Sequence, residues 1–321
     1  MTNDARISRL LWSGLHLAWG SRAFWAYRAS IYGAVYFAGI AVIALLGLVG
    51  HLFGLLAMVL LFTLGAGAVF LLTINGVVHG SLITAVETEH ALLLAELCRQ
   101  RETPGGHGQI AWGRQRGETA DVPPAWLECR ARKSIDAIHN AVHDVGDAFP
   151  AFAEDRAPAW ARALLARCKR PITQALLGRA FASETGHAAY EAKTGLLLYT
   201  TVWPRAFRLN MALWVIGQVT MVAVAALLAV PFALATASGP VSVVTSLLVV
   251  ALWSGYAVKG IFVEPILQAA AITAFEAMVE GSSIAPDTEV VLLEVSEAFR
   301  ELAERARETA ALEEEQSSGK E

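Results

Sequence analysis

Two long stretches of the chain contain no Asp, Glu, Lys or Arg: one lies between Arg28 and Glu87, the other between Arg208 and Lys259. No other feature limits the fold as much. One helix needs ~20 apolar residues to cross a bilayer, and each stretch is long enough for two crossings. In hydrocarbon the backbone must pair its own polar groups, so runs of this kind resolve into helices. Only 17% of the 321 residues are charged, against about a quarter in an ordinary soluble domain. The pattern predicts an all-α integral membrane protein with four transmembrane helices, arranged as two hairpins, and with amphipathic interfacial and cytoplasmic helices.

The first stretch turns at the glycines and His51 of "GLVGHLFG", which sets spans at 29–49 and 52–78. The second turns at "PFALATASGP", which sets spans at 210–230 and 241–262. Neither turn carries a charge. Because basic residues collect on the cytoplasmic side, both chain ends and the middle segment are expected inside, with the two short turns outside. Arginine far outnumbers lysine, the usage of a GC-rich bacterial genome. The expected location is therefore a bacterial inner (cytoplasmic) membrane.

Five regions follow. Residues 1–28 mix Arg6, Arg9 and Arg22 with Trp12, Trp19 and Trp25, a composition that suits an amphipathic helix at the headgroup layer rather than a cleaved signal. Residues 29–93 form the first hairpin and the helix after it. Residues 94–202 form a cytoplasmic helical module. Residues 203–281 form the second hairpin and its following helix, and 282–321 a helical tail with a disordered end. "WGSRAF" at Trp19 and "WPRAF" at Trp203 precede the two hairpins, while "LITAVETE" at Leu82 and "AITAFEAM" at Ala271 follow them. Their near-equal separations suggest an internal repeat in which both copies share one orientation.

Within the module, the glycines and prolines of 101–124 predict a loop. Leu127, Ala131, Ile135, Ile138, Val142, Val145 and Phe149 then recur at steps of three and four, an amphipathic helix closed by Pro150. A second helix is expected to stop at Pro171, and a third to run through Tyr190. So thin a module is expected to need the membrane surface or a partner in order to fold.

Three sets of residues are candidates for function. Lys259 and Glu264 stand just before Pro265, at the end of the last span. Either they mark the corner where that helix meets water, or they pair over the inner mouth of a pathway, with 266–275 folded back as a re-entrant or interfacial helix. Asp136, His139, His143 and Asp147 form one line along the amphipathic helix. Imidazoles one turn apart can ligate zinc, carboxylates beside them can raise histidine pKa values, and the plain alternative is a solvated polar flank. The pairs Gly50/Gly54 and Gly76/Gly80 allow close helix contact.

Cys98, Cys129 and Cys168 form no CxxC, and no Walker loop, HExxH or GxSxG is present. No catalytic residue, metal or cofactor is assigned, and an enzyme is the least supported class. The net charge of −4 is small. The expected partners are membrane lipids, a protein held through the cytoplasmic helices, and further copies of the chain in a homo-oligomer; nucleic acid is not among them. The function expected first is a multi-pass membrane scaffold or regulatory protein, and second an oligomeric channel or transport protein.

Overall fold

The structure of the chain, a computed structural model, describes residues 3–52, 84–144, 159–182, 187–235, 241–285 and 287–318. These residues form helices and loops, with no strand among them. The helices are α1 (Asn3–Gly20), α2 (Arg22–Leu52), α3 (Thr84–Cys98), α4 (Gly108–Glu118), α5 (Pro124–Asp144), α6 (Ala159–Phe181), α7 (Ala188–Ala235), α8 (Val241–Val258), α9 (Glu264–Val279), α10 (Thr288–Val295) and α11 (Glu297–Ser318). A π turn, Lys259–Val263, connects α8 to α9. Among the described residues two helical stretches, Ala188–Val230 and Val250–Val279, rather than the four expected spans, are long and apolar enough to cross a membrane. The expected span at 52–78 and the glycine pairs at 50/54 and 76/80 lie, but for Leu52 and Gly50, outside the described residues.

The chain divides into two compact units. The first contains Met1–Ser21, Glu87–Trp214 and Ile266–Glu321; the second contains Arg22–Val86 and Val215–Pro265. Helix α7 contributes to both. Its 48 residues correspond to ~72 Å at 1.5 Å per residue, more than twice the ~30 Å of hydrocarbon in a bilayer. It passes through Pro204 without ending, and continues past Pro231 to Ala235, where the sequence had suggested a turn.

Helix α9 lies in the core of the first unit. Its alanine-rich segment had been read as covering a membrane surface. Instead Leu267, Ala269, Ala270, Ala271, Ile272, Ala274 and Phe275 are all buried. Small side chains make this possible by letting neighbouring backbones come close. A Cβ placed on Gly14 of α1 would lie 2.7 Å from the carbonyl oxygen of Ile266 and 2.9 Å from the nitrogen of Ala270, so only glycine fits there.

The amphipathic stripe on α5 forms from Leu127 to Ile138, and its cover comes from the same chain; the side chain of Val142, and Val145, Phe149 and Pro150, lie outside the described residues. Leu127, Ala131, Ile135 and Ile138 are buried, as are Phe299, Leu302, Ala303 and Ala306 on α11, the helix packed against α5. Arg130 pairs with Glu301 at this junction. The tail thus packs onto the module. Ser296 starts α11: its extended backbone breaks the helix, and its hydroxyl accepts the N–H of Phe299 at 3.1 Å, a side-chain N-cap. Lys193 holds α10 through Glu289 at 3.0 Å.

Two further expectations are corrected. The loop at 101–124 contains α4, because Gln109, Gly113 and Gly117 recur every four residues and are buried. The two glycines weaken the helix on its own but allow a close approach: a Cβ on Gly117 would meet Pro124 at 3.1 Å. Pro171 does not end its helix, because α6 runs through it. An interior proline costs ~3 kcal/mol. Burial of every residue from Ile172 to Leu177 offsets that cost.

Phe299 is fully buried between α5 and α11. Phe299→Ala is expected to destabilise the first unit by about 3–5 kcal/mol, and trypsin should then cut first within α11. An exposed substitution on the same helix that keeps every tryptic site, Glu304→Ala, should leave the cleavage rate unchanged. Equal rates in the two variants would mean that α11 does not cover the α5 stripe.

Candidate functional site

In the second unit, the Lys259–Glu264 pair sits on the π turn. Pro265 has no N–H, and its ring would strike the carbonyl four residues back in a regular helix. The wider turn accommodates it: the N–H of Glu264 reaches back five residues to the Lys259 carbonyl. The expected corner is therefore a widened turn inside a helix that continues from Val241 to Val279. Lys259 Nζ and Glu264 Oε1 are 3.4 Å apart, and both side chains are mostly buried.

Arg28 joins this turn, a residue that sequence reasoning had used only to mark the edge of a charge-free stretch. It is 2% exposed, and its Nη1 donates to the Gly260 carbonyl at 3.3 Å. Gly260 has no room for a side chain, since a Cβ would fall 2.4 Å from Tyr32 Cζ. Arg28, Tyr32 and Tyr36 follow one another at four-residue steps and so share a face of α2. The Tyr36 hydroxyl bonds that of Ser254 at 2.8 Å, and the Tyr32 ring lies 6.2 Å from Tyr256. The spacing of an arginine and two tyrosines was the signal available in the sequence. Gly39 against Trp253, and Gly255 against the carbonyl of Met221, are further close approaches within this unit.

In the first unit, two glutamates are each held by an arginine of one helix. Glu87, 3% exposed, pairs with Arg170 and accepts the Gln174 amide at 3.0 Å. The Gln268 amide donates to the Glu87 backbone carbonyl at 2.9 Å. Glu276 pairs with Arg179 at 2.7 Å and Arg99 at 3.3 Å. Two arginines of α6, Arg170 and Arg179, are thereby engaged. The signal for this was the triplet Ile-Thr-Ala, followed in both places by one residue and then Glu. Arg99 and Arg101 also donate to the carbonyl of Ala182, just past the C-terminus of α6, where cations suit the helix dipole.

The histidine line is only partly assembled. Asp147 lies outside the described residues, His143 is on α5, and Asp136 is half-buried. His139 is not on a solvated flank. Its Nε2 lies 2.7 Å from the Tyr199 hydroxyl, and the rings of Tyr199, Trp203 and Phe207 surround it at 5.5–6.1 Å. Burial pushes its pKa down to about 4, the opposite of the rise expected from neighbouring carboxylates. Among the described residues, no group of three or more His, Cys, Asp or Glu could hold a metal ion. Burial pushes the Cys98 thiol up, and its sulfur is 3.9 Å from the Thr273 hydroxyl, so Cys98 is a poor nucleophile. Set beside known proteins, the chain matches no family model, no curated protein and no solved structure.

His139 makes stability depend on pH. Its pKa falls from the ordinary 6.5 to about 4 on folding, so protonation favours the unfolded state. The neutral ring's full contribution is present above pH ~6.5 and is lost as pH falls towards ~4, about 3 kcal/mol in all. Unfolding followed by tryptophan fluorescence between those limits should show this slope, and His139→Phe should remove it. An unchanged slope in the variant would place the titrating group elsewhere.

Proposed function

We propose that the chain is a multi-pass membrane scaffold or regulatory protein of a bacterial inner membrane. In this reading both termini are cytoplasmic, two helical hairpins cross the bilayer, and a folded cytoplasmic unit binds a protein partner. Support for the membrane part comes from the two helical stretches of spanning length and from the outward face of α7. Val215, Val219, Val222, Leu227, Val230 and Leu234 are all exposed along it, a composition suited to lipid. The observation that carries the scaffold reading is the use made of the charged groups. Arg28, Lys259 and Glu264 tie one widened turn together, and Glu87 and Glu276 tie helices to α6. These are roles in holding a shape.

The internal repeat belongs to the same reading. Glu87 and Glu276 occupy matching places after the two Ile-Thr-Ala triplets, and each meets an arginine of α6. Phe24 and Phe207, which match in the two "RAF" motifs, are both buried. A duplicated helical unit accounts for these correspondences.

The partner surface is proposed on the tail, because the α5 stripe is already covered by α11. Helix α10 exposes Val290, Val291 and Val295 side by side. A second reading, an oligomeric channel or transport protein, draws on the polar line Arg28–Tyr32–Tyr36 along α2. Assembly of several chains would have to open that line to water.

Purification in mild detergent, with mass measurement and identification of what accompanies the chain, tests the proposal. A stoichiometric partner should be present, and should be lost from the Val290→Asp, Val291→Asp double variant while the helical content stays normal. A chain that purifies alone, and that carries ions across liposome membranes above the empty-vesicle rate, would replace the scaffold with the channel.

A further inference from the structure

Helix α1 presents two opposite faces. Gly14 and Ala18 are buried, with Gly14 set directly on the backbone of α9. Arg9, Trp12, His16 and Trp19 are exposed, Trp12 at 71% and Trp19 at 61%. At 3.6 residues per turn these four fall within a single stripe, turned away from Gly14 and Ala18. The sequence could not say which face of α1 would be outward, because tryptophan is large and apolar enough to belong in a core. The close fit at Gly14 settles this: α1 cannot rotate its tryptophans inward without losing the one contact distance that a glycine allows.

We infer that this stripe is a docking surface for the headgroup layer of an anionic bilayer. The inference rests on the membrane reading above and names the lipid that the helix meets. Tryptophan, with an apolar body and one N–H, is most at home at headgroup depth. Arg9 supplies a guanidinium with the fork geometry that matches phosphate. No acidic residue stands on the stripe. A protein partner would be expected to meet aromatic anchors set in a rim of mixed charge, whereas here the charged member, Arg9, is cationic. A cation near an anionic leaflet favours the surface by about fivefold.

The test uses the full chain reconstituted into liposomes, with its three native cysteines replaced by serine and one new cysteine introduced by Trp12→Cys, Trp19→Cys or, as an exposed control on α11, Arg307→Cys. Each carries an environment-sensitive fluorophore. Vesicles are made of phosphatidylcholine alone or with phosphatidylglycerol. In the anionic vesicles, the labels at 12 and 19 should be quenched by brominated lipid and protected from iodide about fivefold better than in neutral vesicles. Arg9→Glu should erase the difference, and the label at 307 should stay open to iodide throughout. Labels at 12 and 19 as open to iodide as the one at 307 would overturn the inference. So would protection from iodide without quenching by brominated lipid, since protein would then be the cover. Equal protection in both vesicle types would overturn the anionic preference. Carbonate washing separates these failures from that of the underlying reading: a chain stripped from the vesicles refutes both, while a retained chain with exposed labels refutes the docking alone.

Discussion

Glu87 is a carboxylate inside a helical core and Glu276 a half-buried one, and helices of the first unit converge on both. A charge removed from water has to be paired and hydrogen-bonded, or it neutralises. Here the answer comes from α6, whose Arg170 and Arg179 reach one glutamate each, with Gln174 and Arg99 completing the two sets. The glutamates belong to α3 and α9, far apart in sequence, so α6 brings distant parts of the chain into one body. Such pairs add little net stability compared with a well-packed apolar core. What they impose is register: an apolar helix can slide along its neighbours, but one that must deliver a guanidinium to a fixed carboxylate cannot.

Small residues make this geometry reachable. Gly14 lets α1 rest on the backbone of α9, and Gly178 lets α6 come within 3.0 Å of the Ala91 carbonyl, measured from where its Cβ would stand. In the second unit Gly39, Gly255 and Gly260 do the same for α2, α7 and the π turn. At Gly260 the two devices meet. The missing side chain admits Tyr32, and the turn widened by Pro265 offers its carbonyl to Arg28. Proline thus sets the backbone, glycine clears the space, and arginine takes up the exposed acceptor.

Local pattern carried the reading a long way and then gave out for identifiable reasons. The charge-free stretches, the all-helical class, the α5 stripe and the closeness of Lys259 to Glu264 were all legible, because each depends on neighbours within a few turns. What the stripe packs against was not legible, because the tail that covers it lies more than half the chain away. The helix at Gly108–Glu118 was missed because glycine lowers helix propensity while also permitting the contact that stabilises this helix. Pro171 looked like a stop, yet burial of the residues after it outweighed a lost hydrogen bond. His139 looked solvated because its sequence neighbours are polar; the ring turns instead towards three aromatic residues from α7, a helix the histidine line does not mention.

The central claim is that the exposed valines of the chain face two different media, lipid along α7 and water or a partner along α10. Accessibility of single cysteines to a membrane-impermeant maleimide tests it most directly. The purified chain, with its native cysteines replaced, is reconstituted with Val219→Cys or Val290→Cys, and labelling is followed before and after the vesicles are opened. The account predicts that position 290 labels fully once both faces of the membrane are accessible, while position 219 stays unreactive until detergent dissolves the bilayer. Position 219 labelling as fast as position 290 in intact membranes would contradict it.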